Sequence, residues 1–151
     1  MKLIKLYIGL DVHKDSITIA IAHRGGEILL CGTITNELHA LEKALVRIRK
    51  AHPAALLEVT YEAGPCGFGI ARRLQQLGVP CLVAAPSLMP KDPGSPFKTD
   101  KRDACTLARL LRAGELTAVY ISKPIDEAIR DLCRVRTGAV VGHSVPGLLV
   151  S

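Results

Sequence analysis

The stretch LIKLYIGLDVHKDSITIAIAHRGGEILLCGTI, residues 3–34, decides the fold. Residues 3–12 are an almost unbroken apolar run and read as a buried strand. Residues 16–23 alternate β-branched with small side chains, the pattern of a second strand. His13 to Asp15 leaves room only for a tight turn between them. Arg24-Gly25-Gly26 then supplies a hairpin turn into a third strand over residues 27–34. Three strands joined by short turns predict an antiparallel meander.

Beyond the meander the period changes. Asn36 stands where an N-cap belongs, and Leu38, Leu41, Ala44, Leu45 and Ile48 share one face of a helix over residues 37–50. Pro53 stops it. Residues 55–61 read as a strand ended by Glu62-Ala63-Gly64-Pro65, residues 67–77 as a helix closed by Gly78, and residues 79–85 as a strand. A loop over residues 86–97 carries four prolines, so it is expected to be mobile or ordered by a partner. The stretch KTDKRDACTLARLL, residues 98–111, opens a further helix ending near Gly114. A last short strand over 117–121 and an amphipathic helix over about 125–136 complete the pattern. The order βββ-α-β-α-β-α predicts an α/β, ribonuclease-H-like fold: a mixed five-stranded sheet flanked by helices. The actin-like ATPase fold opens the same way. It follows its first-strand Asp with Gly, Thr or Ser to approach phosphate, whereas Val12, His13 and Lys14 follow Asp11 here.

Composition narrows the function. A chain of 151 residues lies within the size of one domain and can build a real core. Its net charge of +6 favours an anionic partner, nucleic acid first. With aromatics at 3%, base stacking on aromatic platforms is disfavoured. The five cysteines are odd in number and widely spaced, against a disulfide framework or zinc knuckle and in favour of buried free thiols in a reducing cytoplasm. Asp11 and His13 end the first apolar run too early for a secretory signal, and no run reaches the ~18 apolar residues of a membrane span.

The acidic residues carry the chemistry. Asp11 ends an otherwise apolar strand, where a carboxylate is costly unless paired or metal-bound; the plainer alternative is that it starts the turn to Ser16. Glu62 ends the fourth strand, at the kind of chain end that lines a ligand crevice in α/β sheets, or else is a solvated strand end. Asp100 and Asp103 are three apart and would share a helical face. Capping explains them just as simply, with Asp100 as N-cap and Asp103 in the first turn. If the first strand is central, that first turn can lie over Asp11, and the acids converge. Clustered carboxylates repel, and Mg²⁺ or Mn²⁺ relieves this with oxygen ligands. Lys98, Lys101 and Arg102 flank the site and suit a nucleic-acid backbone; Arg109 and Arg112 read as a solvated helix face.

Four segments then resemble one family: GLDVHKDSITIAI, YEAGPCGFGIARRLQQLGVPCLVAAP, KTDKRDACTLARLL and TAVYISKPIDEAIRDLCRVR. They look like the N-terminal, RuvC-like domain of DEDD-type insertion-sequence transposases, over roughly residues 5–136. The family's tetrad falls on Asp11, Glu62, Asp100 and Asp103. The resemblance implies a divalent-metal-dependent DNA recombinase that cleaves and exchanges strands in transposition, with a guide RNA from the element in related members and a homo-oligomer in the full-length family. It also implies a C-terminal domain with a nucleophilic serine, for which this chain has no room. The expected organisation is a catalytic-type domain over 1–124, the start of a linker helix over 125–136 and an atypical tail over 137–151, read as a frameshifted or truncated end. Ser144 and Ser151 match no motif and take no role. Whether such a chain is catalytic stays open at this point. A stand-alone RuvC-like nuclease or junction resolvase, and a nucleic-acid-binding remnant without chemistry, are the alternatives.

Overall fold

The structure, a computed structural model, describes residues 4–89 and 103–119. Asp100, Lys98, Lys101 and Arg102 lie outside the described residues, as do the expected elements at 125–136 and 137–151. Strands β1 (Ile4–Val12), β2 (Ser16–His23) and β3 (Ile28–Thr35) form the meander; α1 (Leu38–Ala51), β4 (Ala55–Glu62), α2 (Gly69–Gln76), β5 (Cys81–Ala84) and α3 (Ala104–Ala113) follow. The strand order is β3-β2-β1-β4-β5. β1 is therefore central, antiparallel to β2 and parallel to β4, while β4 is parallel to β5. This is the expected α/β, ribonuclease-H-like sheet. Among the described residues no helix is long and apolar enough to cross a membrane.

The pleat sorts side chains onto two faces. In β1, Leu6, Ile8 and Leu10 are fully buried on one face. Gly9 points to the other, where α3 lies. β2 repeats this with Ile17, Ile19 and Ile21 on one face and Ala20 and Ala22 on the other. The two alanines pack with Ala104 and Ala108 of α3. The isoleucines Ile19 and Ile21 instead line a groove of about 440 Å³ with Ala44 and Ile48 of α1. β3 is an edge strand, with Leu29 and Leu30 largely exposed. Its register slips between Ile19 and Ala20, so that Ile19 pairs with Gly32 and Ala20 with Leu30. Gly32 takes a φ of +127° there, open to glycine and strained for other residues.

Several boundaries differ from expectation. Asn36 does not cap α1: the N-cap is Glu37, which makes no side-chain cap hydrogen bond. Leu38 is exposed because it sits at the first turn, ahead of the residues that reach the sheet. β5 is four residues rather than seven, since Val79 and Pro80 precede its ladder with β4. The expected strand at 117–121 is an isolated bridge from Ala118 to Ala84, with Tyr120 and Ile121 outside the described residues. Cys31 and Cys66 are exposed, not buried: one lies on the edge strand and the other in the loop after β4. Arg112 is no merely solvated cation. Its guanidinium donates to the carbonyls of His23 and Gly26, each at 2.8 Å, and so grips the β2–β3 hairpin.

Candidate metal and nucleic-acid site

The direction of α3 sets up the site. A Cβ on Gly9 would lie 2.2 Å from the Ala104 carbonyl oxygen and 2.6 Å from the Ala108 nitrogen, so only glycine lets the helix backbone come this close to β1. At its other end, Arg112 reaches His23, which pairs with Leu6 near the start of β1. α3 thus runs antiparallel to β1. Its N-terminus, and Asp103 with it, lies toward the strand's carboxyl end, where Asp11 sits.

The ladder sets up the second carboxylate. β1 and β4 pair in parallel up to Leu10 opposite Tyr61, and the next residues are Asp11 and Glu62. Both are two residues beyond a pair on the α3 face, Gly9 with Thr60, and so share that face. Both are partly buried. Local bonds hold the neighbourhood still. The buried Thr60 hydroxyl donates to the Leu82 carbonyl at 2.7 Å, tying β4 to β5. The Tyr61 hydroxyl, on the opposite face, donates to the Gly67 carbonyl at 3.1 Å and accepts from the Ala71 amide, pinning the loop that follows Glu62. Burial raises the Tyr61 phenol well above its ordinary range, so it stays a donor.

Asp11 has a partner in its own turn. His13 Nε2 lies 3.1 Å from Asp11 Oδ2, with the Asp11 side chain 24% exposed. Asp103 also has local work, because its Oδ1 accepts from the Thr106 amide at 2.7 Å. It is the N-cap of α3, in extended conformation, rather than a first-turn residue behind a capping Asp100. The helix therefore begins at Ala104, one residue after Asp103, and Asp100 lies outside the described residues.

The structure thus brings Asp11 and Glu62 into neighbouring register and sets Asp103 toward the same end of the sheet. Among the described residues no group of three or more His, Cys, Asp and Glu side chains stands close enough to hold a metal ion. The donors suit a hard divalent cation in kind: Asp11 and Glu62 are partly buried carboxylates and Asp103 is an exposed one.

Two residues of the site had other readings or none in the sequence. Gly9 carries a signal there, a glycine inside a central apolar strand, which marks a close backbone approach. Asn36 resembles a cap, and only the folded chain turns its carboxamide onto the β1–β2 turn.

A family profile described as a transposase, of the DEDD type of IS110 elements, matches residues 8–142. The chain is 43% identical over 136 residues to y4qE of Sinorhizobium fredii, a protein carrying a transposase name; the match covers 89% of this chain and 34% of that protein. It is 36% identical over 135 residues to the transposase for insertion sequence element IS1533 of Leptospira borgpetersenii, covering 87% and 38%. The chain spans about a third of the length of these relatives.

Proposed function

The chain belongs to the DEDD transposase family, and on that premise we propose that its α/β domain is the metal-dependent strand-cleaving domain of an insertion-sequence transposase acting on DNA. Asp11 and Glu62, together with Asp100 and Asp103, hold Mg²⁺ or Mn²⁺ in this reading. The observation that carries it is the parallel pairing of β1 with β4, one register step short of Asp11 and Glu62. A divalent cation there would activate a water or hydroxyl and stabilise the leaving oxygen of a phosphodiester.

The chain's own residues do the rest. The two strand ends supply hard oxygen ligands from a rigid ladder, which fixes their spacing better than a loop would. Lys98, Lys101 and Arg102 take the DNA phosphates beside the acids and offset their repulsion. The net charge of +6 suits the same partner. A guide RNA encoded by the element and assembly into a homo-oligomer belong to this reading for the longer relatives.

The test is metal linkage. Mn²⁺ at about a hundred times its Kd stabilises a binding-competent fold by ~2.7 kcal/mol, which moves the melting temperature of a domain this size by roughly 5–15 °C. Asp11→Asn should remove most of the shift. DNA affinity should fall steeply as salt rises. An equal Mn²⁺ response in Asp11→Asn, or salt-independent DNA binding, contradicts the reading.

A further inference from the structure

Asn36 precedes a helix and would ordinarily cap it, a role usually worth about 1 kcal/mol. It does not. α1 starts from Glu37 with no side-chain cap. The Asn36 carboxamide is turned away, and its Nδ2 donates to the His13 carbonyl at 2.6 Å and the Lys14 carbonyl at 3.3 Å. Its backbone amide donates to the Asp15 carbonyl at 3.1 Å. One residue thus holds three consecutive carbonyls of the turn that follows Asp11. The same Nδ2 lies 3.9 Å from Cys66 Sγ, in the loop that follows Glu62.

We infer that Asn36 is a positioning residue for the cation site, clamping the β1–β2 turn so that Asp11 and His13 keep their place beside the Glu62 loop. The inference rests on the metal reading above. The clamp acts through the backbone. His13 N donates to Ser16 O at 2.8 Å, closing the turn, and Asn36 fixes it from outside. With the turn fixed, the His13 ring meets Asp11 at a set distance, and the carboxylate oxygen left over is aimed rather than free to swing. Partners that orient ligands from outside the coordination sphere typically contribute 10–100-fold in metal affinity.

The experiment measures Mn²⁺ affinity of the full chain by the electron spin resonance of free Mn²⁺, together with melting temperature in EDTA. Four variants are compared with wild type: Asn36→Ala, Asn36→Asp, Asp11→Asn and Leu41→Ala. Asn36→Asp keeps the shape but replaces the donor with an acceptor facing two carbonyls. Leu41→Ala weakens the buried face of α1 without touching the turn. The expected result is an affinity loss of about tenfold or more in both Asn36 variants, near-complete loss in Asp11→Asn, and wild-type affinity in Leu41→Ala despite its lower melting temperature. Wild-type affinity in folded Asn36→Ala and Asn36→Asp, with Asp11→Asn still defective, overturns the role of Asn36 alone. An equal loss in Leu41→Ala overturns it too, by reducing the effect to general destabilisation. No Mn²⁺ binding by the wild-type chain overturns the functional reading and this inference with it.

Discussion

α3 and α1 cover opposite faces of one sheet and meet it through different residues. Under α3 the sheet presents Gly9, Ala20 and Ala22, and the helix answers with Ala104 and Ala108. Small residues on both sides bring backbone to backbone, so the helix has one seat. Under α1 the sheet presents Ile19 and Ile21, and a groove of about 440 Å³ stays open between them and Ala44 and Ile48. That face is bulky, and its groove opens toward the β3 edge, at Leu29 and Cys31. The carboxylates proposed as cation ligands go with the close-packed face: Asp103 belongs to α3, and Asp11 and Glu62 are in register with residues on its side.

Enlarging one side chain on each face is the most severe way to break this contrast. Gly9→Ala puts a Cβ 2.2 Å from the Ala104 carbonyl oxygen, a backbone atom that cannot move aside alone. Overpacking of this kind costs about 3 kcal/mol or more, and urea unfolding should show it, with α3 leaving the sheet. Ala44→Leu, into the open groove under α1, should change stability by less than ~1 kcal/mol. A mild Gly9→Ala, or a severe Ala44→Leu, would undo the comparison.

Asp103 gives a smaller effect that separates two roles. Asp103→Ala removes the acceptor for the Thr106 amide and should cost about 1 kcal/mol. Asp103→Asn keeps a good cap, so stability should hold within a few tenths of a kcal/mol, yet the Mn²⁺ response should fall. If Asp103→Asn leaves metal binding untouched, Asp103 is a cap and nothing more.

The face away from α3 has its own, weaker signature in alkali. Burial pushes the Cys81 thiol from 9.0 up to about 12. Desolvation, and then the neighbouring Cys81, raises Tyr61 as well. Both groups bind their protons more tightly in the folded chain. The stability this contributes is complete below about pH 9 and declines as the unfolded chain ionises, up to about pH 12. Urea midpoints measured from pH 8 to pH 11 should therefore drift downward, and Cys81→Ser should shallow the decline. A flat profile would mean that the half-buried Cys81 thiol is not desolvated as described.

Much of the fold was legible because it is written locally. The turn at Arg24-Gly25-Gly26, the alternation over residues 16–23 and the breaker after Glu62 each act over a few residues, and all three appear where the pattern put them. Non-local facts were not legible. Asn36 is a cap by local chemistry, yet the β1–β2 turn lies more than twenty residues upstream and offers carbonyls that outcompete the helix end. The start of α3 was misjudged for a related reason. Two acids three apart look like one helical face, but the Thr106 amide captures Asp103 and fixes the first turn beyond it. That Asp11 and Glu62 come to neighbouring strand ends follows from strand order, which no single segment states. Asp100, Lys98, Lys101 and Arg102 lie outside the described residues, so their roles rest on the sequence and the proposal built from it.

The central claim is that Asp11, Glu62 and Asp103 mark one pole of the sheet where a divalent cation binds. Paramagnetic broadening of backbone amide resonances by substoichiometric Mn²⁺ tests it most directly, on the isotopically labelled full chain. The account predicts selective loss of the amides of His13, Ala63 and Ala104, while those of His23, Gly26 and Arg112, at the opposite end of α3, stay sharp. Broadening centred on the His23–Gly26 turn, or equal attenuation at both ends, would contradict it.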